Sequence, residues 1–216
     1  NADSQIMWDR DPLTRVGKVA PWLTLDQDPY PVVIDGRIKW IVDGYTLSND
    51  FPYSSRVSLS EATADSISGA NFAAGLIARD QVNYMRNSVK AVVDAYEGSV
   101  TLYAWDETDP VLQTWQKAFP DVVEPRSAMP DAVEQHVRYP QDLFKVQRFT
   151  MSRYHVTDAD TFYNGTAVWI VPFDPTVTPA QVFQPPYYLT LQMPGEIQPA
   201  FSLTTTFAPQ RRQTLA

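Results

Sequence analysis

Two histidines and three tight groups of carboxylates are the residues of this chain best suited to chemistry. An imidazole titrates near neutrality, so His136 or His155 beside a carboxylate could act as a general base. His136 falls on the Val133/Val137 side of a short helical pattern, and His155 at the end of the next one. A packed or capping histidine is therefore the favoured reading of both. Two histidines are too few for a His-rich metal site, and the absence of cysteine removes thiolate nucleophiles, Cys-type zinc sites and disulfides. No catalytic residue set and no cofactor site is read from these types and spacings.

The carboxylates group as Asp26 with Asp28, Asp106-Glu107 with Asp109, and Asp158 with Asp160. Hard oxygen ligands two positions apart on a loop can share a calcium ion, which makes Asp106, Glu107, Asp109, Asp158 and Asp160 the candidate metal ligands. The EF-hand pattern fails, because Gly165 is misplaced and no glutamate closes the loop. Helix capping accounts for Asp109 and Asp160 without metal. The chain has no Gly-x-Ser-x-Gly elbow, no Ser-x-x-Lys, no His-Glu-x-x-His and no glycine-rich phosphate loop. Paired carboxylates brought together from distant positions leave a glycan- or lipid-cleaving hydrolase as the alternative function. Aromatic residues crowd the first quarter, and Trp22, Tyr30 and Tyr53 are the candidate ligand platform, since flat rings stack on sugars and acyl chains. The competing reading is that these rings cover the core of a small sheet.

The elements that position these residues follow from pattern. Val32-Val33-Ile34 and Ile38 to Val42 flank Asp35-Gly36, a pair that accepts both positive φ values of a type I′ turn, and Asp43-Gly44 punctuates the end of the second strand. Residues 54–75 are rich in Ser and Ala and read as a long loop with a helical turn. From Gln81, the spacing of Met85, Val89, Val92, Val93 and Tyr96 predicts a helix ending at Gly98. A strand over Val100–Trp105 follows, then a helix begun by Asp109-Pro110 and closed by Pro120. A short helix is expected after Pro130, a longer one after Pro140, and a capped turn at Thr157–Asp160. Alternation at Tyr187–Met193 and Phe201–Phe207, joined through Pro194-Gly195, predicts a terminal hairpin. The expected fold is α+β: a mixed or antiparallel sheet, strands toward both chain ends, and three to four helices packed in the middle.

Within 216 residues, 44% apolar residues suffice for a packed core, and 18 prolines imply long ordered connections. The domain reading is Asn1-Ala2 as a tag remnant, 3–53 as a strand hairpin region, 54–75 as loop and 76–216 as helices and C-terminal strands, all one domain. A net charge of −8 without basic stripes excludes nucleic acid as a partner. No apolar run reaches the ~18 residues that a membrane helix needs.

Several long stretches resemble one family: Pro31–Thr46, Asn83–Tyr96, Leu102–Asp106, Arg138–Gln147, and Pro185–Gly195 with Phe201–Thr204. They are similar to the uncharacterised protein family numbered 0182, large multi-span bacterial membrane proteins with a large extracytoplasmic domain. Residues 54–75 resemble it least. The resemblance implies a location on the extracytoplasmic side of a cell membrane and a longer parent protein, and it carries no catalytic residues. It makes the remainder of the parent the expected partner, with envelope lipid or glycan as further candidates. The reading is a non-enzymatic interaction or structural module, and a calcium-stabilised spacer is a third possibility.

Overall fold

The structure, a computed structural model, describes residues 8–64, 81–177 and 182–210. Asn1-Ala2 and residues 65–75 of the expected loop lie outside the described residues. In chain order the elements are α1 (Pro12–Val19), β1 (Thr24–Leu25), β2 (Tyr30–Ile34), β3 (Arg37–Ser48), β4 (Val57–Ser58), α2 (Leu59–Ala62), β5 (Gln81–Val82) and β6 (Tyr84–Asp94). Then come β7 (Val100–Ala104), α3 (Pro110–Ala118), β8 (Val123–Glu124), a 3₁₀ turn (Arg126–Ala128), α4 (Asp131–Glu134), α5 (Gln141–Tyr154) and α6 (Ala159–Asn164). Four short strands close the series: β9 (Trp169–Ile170), β10 (Tyr187–Leu191), β11 (Ala200–Thr204) and β12 (Ala208–Pro209). The fold is α+β around a mixed sheet.

These elements form two compact units. One takes its described residues from Asn1–Ser58 and Phe72–Pro140, the other from Leu59–Asn71 and Gln141–Ala216. Helix α2 belongs to the second of these units.

The first unit is built on a six-stranded sheet in the order β1-β3-β6-β7-β8, with β2 also on β3. All pairings are antiparallel except β7 with β8. The β2–β3 hairpin turns at Asp35 and Gly36, whose φ values of 53° and 73° match the expected I′ turn. One sheet face carries Val42, Val89, Ala91, Val93, Leu102 and Ala104 against Val16 of α1, its C-cap Ala20, Leu23, and Leu112 of α3. The other carries Ile41, Val92 and Tyr103 with Tyr30, Val32 and Ile34 of β2, against Met129 and Val133. Alternate residues of β3, β6 and β7 thus feed two separate cores.

That double coverage corrects the helix expected over Gln81–Gly98. The segment is strand β6, buried without interruption from Asn87 to Val93. A strand covered on both faces loses its period-2 signal, and its apolar positions then mimic one helical face. β-branched Val89, Val92 and Val93 favour the pleated conformation. Gly98, expected as a helix cap, instead turns β6 into β7 with φ +69°.

A second correction concerns Gly44. It does not end a strand: β3 continues to Ser48, and a Cβ at Gly44 would lie 3.0 Å from Leu23 Cδ1. The missing side chain lets the segment after α1 close over the sheet. Helix α1 itself was not expected, although Asp11-Pro12 repeats the Asp109-Pro110 signature, and the Asp11 carboxylate accepts from Thr14 N at 2.8 Å.

In the second unit, helix α5 follows Pro140 as expected, and β10 pairs with β11 in the expected hairpin. The cap at the start of α6 is Asp158, accepting from Thr161 N at 2.8 Å, so the capping position expected of Thr157 belongs to the following residue.

Candidate functional site

Two buried polar clusters lie in the first unit. The first converges on Asp109, the N-cap of α3. Its Oδ1 accepts from Tyr84 OH at 2.5 Å and Val111 N at 3.0 Å, and its Oδ2 from Thr46 Oγ1 at 2.6 Å, Ser88 Oγ at 2.6 Å and Leu112 N at 3.1 Å. A β-bulge makes this possible. Gly44 faces Val89 and Tyr45 faces Asn87, so Ser88 is the extra residue of β6. The bulge frees the Ser88 carbonyl to accept from the amides of Trp105 and Asp106, and brings its hydroxyl to the carboxylate. Burial alone would push the Asp109 carboxyl up, but donation from Ser88, Thr46 and Tyr84 outweighs it and holds the group below its ordinary value. An ionised carboxylate with five donors is an anchor joining β3, β6 and α3, and a poor proton acceptor.

The second cluster is the ion pair of Lys90 and Asp43, cross-strand partners on β6 and β3. Their side chains are 1% and 4% exposed. Burial drives the Lys90 ammonium down and the Asp43 carboxyl up, each partly offset by the other's charge. Lys90 also donates to the Arg138 carbonyl at 3.2 Å and sits 5.2 Å from the Trp105 ring centre. Nearby, Tyr45 OH donates to Asp26 Oδ2 at 2.5 Å, and the Asp26 amide donates to the Asp43 carbonyl at 2.9 Å. A lysine desolvated in this way could in principle be a nucleophile. Enclosure on this scale keeps a substrate away from it.

The second unit has a different character. A pocket of about 270 Å³ is lined by Phe149, Val168, Trp169, Ile170 and Phe183, with Arg148 in its wall. Its Trp169 is stacked on His155, with ring centres 3.6 Å apart. Arg148 donates to the Gln184 carbonyl and to Thr205 Oγ1, both at 3.3 Å. The β10–β11 ribbon leaves large apolar side chains in solvent.

The sequence-predicted residues are distributed as follows. His136 Nδ1 lies 2.7 Å from the Ala132 carbonyl, and His155 Nδ1 lies 2.9 Å from the Met151 carbonyl, each four residues back at a helix end. Asp106 accepts from Thr108 and pairs with Arg86 at 2.6 Å, while Glu107 accepts from Arg126 N at 3.0 Å. Among the described residues, Asp106, Glu107 and Asp109 do not gather a carboxylate oxygen each within 4.8 Å, nor do Asp158 and Asp160 join a third ligand. Trp22 stacks on Trp115 beside the first core cluster, Tyr30 belongs to the second, and Tyr53 is fully exposed at φ 57°. Those clusters occupy opposite sheet faces, so Trp22 and Tyr30 do not share a surface. Sequence reasoning missed Thr46, Ser88, Tyr84, Asp43 and Lys90. The last two carry a legible signal, a lone charge of opposite sign interrupting each of two apolar runs, Ile41-Val42-Asp43 and Val89-Lys90-Ala91-Val92-Val93.

Comparison with known proteins gives one consistent answer. The profile of the Uncharacterised protein family (UPF0182) matches residues 1–216. The chain belongs to this family. A UPF0182 protein of Leifsonia xyli subsp. xyli, Lxx09300, is 61% identical over 211 residues, covering 97% of this chain and 21% of the relative. One from Micrococcus luteus is 57% identical over 211 residues, covering 97% of this chain and 20% of the relative. The Streptomyces coelicolor member SCO5204 is 54% identical over 214 residues, covering 99% and 21%. The chain therefore spans about a fifth of the length of the curated relatives it matches. No solved structure matches it. Among the described residues of this UPF0182 segment, the most extensive polar networks lie in closed cores, and the pocket and the β10–β11 ribbon of the second unit present large apolar side chains.

Proposed function

We propose that this chain is a non-enzymatic interaction module of a longer UPF0182 polypeptide, and that it stands on the extracytoplasmic side of the membrane holding the parent. The observation carrying the reading is the contrast between the two units. Both clusters of buried apolar side chains lie in the first unit, while among the described residues the second keeps Tyr187, Leu189, Leu191, Met193, Ile197 and Phe201 in solvent and carries an apolar pocket elsewhere on its surface. Apolar surface of that extent on a water-exposed body is characteristic of an interaction face. The fivefold greater length of the relatives supplies a partner on the same polypeptide. No helix among the described residues is long and apolar enough to cross a membrane, so the proposed anchor belongs to other parts of the parent. The buried clusters support the module by fixing α3 and the sheet.

The location is tested by cysteine labelling read against the unsubstituted gene product, since these 216 residues hold no cysteine. Lys117, exposed near the end of α3, is replaced by Cys in the complete gene product. Intact cells are treated with a membrane-impermeant maleimide. Labelling before lysis is expected; a thiol reached only after lysis would overturn the extracytoplasmic assignment.

A further inference from the structure

The β10–β11 ribbon has two unlike faces. By register, Tyr187 pairs with Thr204, Leu189 with Ser202 and Leu191 with Ala200, so these six side chains share one face. All the large residues of that face stand on β10 and all the small ones on β11. A ridge of Tyr187, Leu189 and Leu191, continued by Met193, runs beside a trough of Ala200, Ser202 and Thr204. The ridge residues are 41%, 43%, 37% and 47% exposed. On the opposite face, Tyr188 stacks on Phe201 with ring centres 5.4 Å apart and interplanar angle 6°. Tyr188 and Phe201 thus cover one another in part, with Phe201 still 58% exposed, while the ridge of the other face has no aromatic partner on β11.

We infer that the ridge and trough are the seat of an apolar segment of the same polypeptide, lying outside these 216 residues. Three observations select that occupant. A two-stranded ribbon is at best marginal alone in water and needs a third layer on its apolar face. Between Asp174 and Arg211 the sequence carries a single charge, Glu196, in a chain whose net charge is −8. An uncharged strip fits an apolar partner, whereas a second copy would bring another −8 toward the first. The matched relatives are about five times as long, and a tethered segment meets the ribbon at an effective concentration in the millimolar range. Large side chains of the segment fill the trough beside Ala200 and Ser202, and its backbone lies along the β10 ridge.

The inference rests on the proposed reading that the chain is part of a longer protein, and its test is separable from the test of location. Leu189→Cys and, independently, Ser202→Cys are placed in the 216-residue chain and in the complete gene product. Both proteins are labelled with a maleimide in the same detergent, with Lys117→Cys as the exposed control. At Leu189→Cys and Ser202→Cys, labelling at least tenfold slower in the complete product is expected, with the control unchanged. Equal rates in the two proteins overturn the docking surface, even where Lys117→Cys has already been labelled from outside the cell. Slowing in the short chain with rising protein concentration assigns the face to a second copy and also overturns the inference. So does slowing that appears in the short chain on adding detergent, which assigns the face to amphiphiles. Because Ser202 is small and at the trough, its variant keeps the comparison decisive where Leu189→Cys disturbs the ribbon.

Discussion

Replacing Asp109 by Ala removes the one acceptor that serves two helix amides and three hydroxyls in the first unit. The N-cap bonds to Val111 and Leu112 are worth about 1 kcal/mol, in the range found for Asp caps. Thr46 Oγ1 and Ser88 Oγ lie 3.0 Å apart and can bond to each other, and Ser88 then turns to the Arg86 carbonyl at a long 3.4 Å, so of these two buried hydroxyls one donor is left poorly satisfied. Leaving a buried donor unsatisfied costs about 1–3 kcal/mol. Tyr84 is half-buried and turns to water at little further cost. The sum is a loss of about 2–4 kcal/mol for Asp109→Ala. Asp109→Asn keeps one oxygen for the cap and offers an NH₂ to hydroxyls that can also accept, so it should lose about half as much. Urea unfolding followed by tryptophan emission measures both variants, and hydrogen exchange at the α3 amides localises the effect. A loss below about 0.5 kcal/mol for the Ala variant, the range of an ordinary surface substitution, would refute the anchoring role.

Other consequences are equally direct. Lys90→Met strands the Asp43 carboxylate in the core and should cost about 3–5 kcal/mol, whereas adding Asp43→Leu should recover at least half of that loss; a double-mutant cycle in urea checks the sign of the coupling. Gly44→Ala drives a methyl to 3.0 Å from Leu23 Cδ1 and 3.4 Å from Val89 Cβ, so thermal unfolding should register about 1–3 kcal/mol of destabilisation. Asp94, held at about 2 by the Glu97 amide first and by Tyr96 and Arg37 after it, has a folded pKa below its unfolded value. Its contribution is therefore complete above about pH 4 and disappears as the pH falls toward 2. Asp109 acts in the same direction, so acid titration of the double variant Asp94→Asn/Asp109→Asn should show a flatter loss of stability over that window.

Local chemistry was readable from the sequence wherever one short stretch decides the outcome. Asp35-Gly36 specifies its turn because only small or Asx residues enter both positive-φ positions cheaply. Asp109-Pro110 starts a helix because its carboxylate meets free amides and its proline lacks one, and the alternation of Tyr187–Leu191 against Ala200–Thr204 is a property of the pleat. What tertiary structure alone decided is everything that depends on how many faces of an element are covered. Tyr84–Asp94 carries helix-like spacing yet is a strand, because cores on both sides of the sheet demand apolar residues at consecutive positions. The same enclosure turns Lys90 and Asp43, apart in sequence by half a sheet, into a pair that must exist together or not at all. Ser88 reaches Asp109 only because one extra residue kinks β6 beside Gly44, a displacement no single-strand pattern encodes. Burial is a property of neighbours, and neighbours distant in sequence are set by packing.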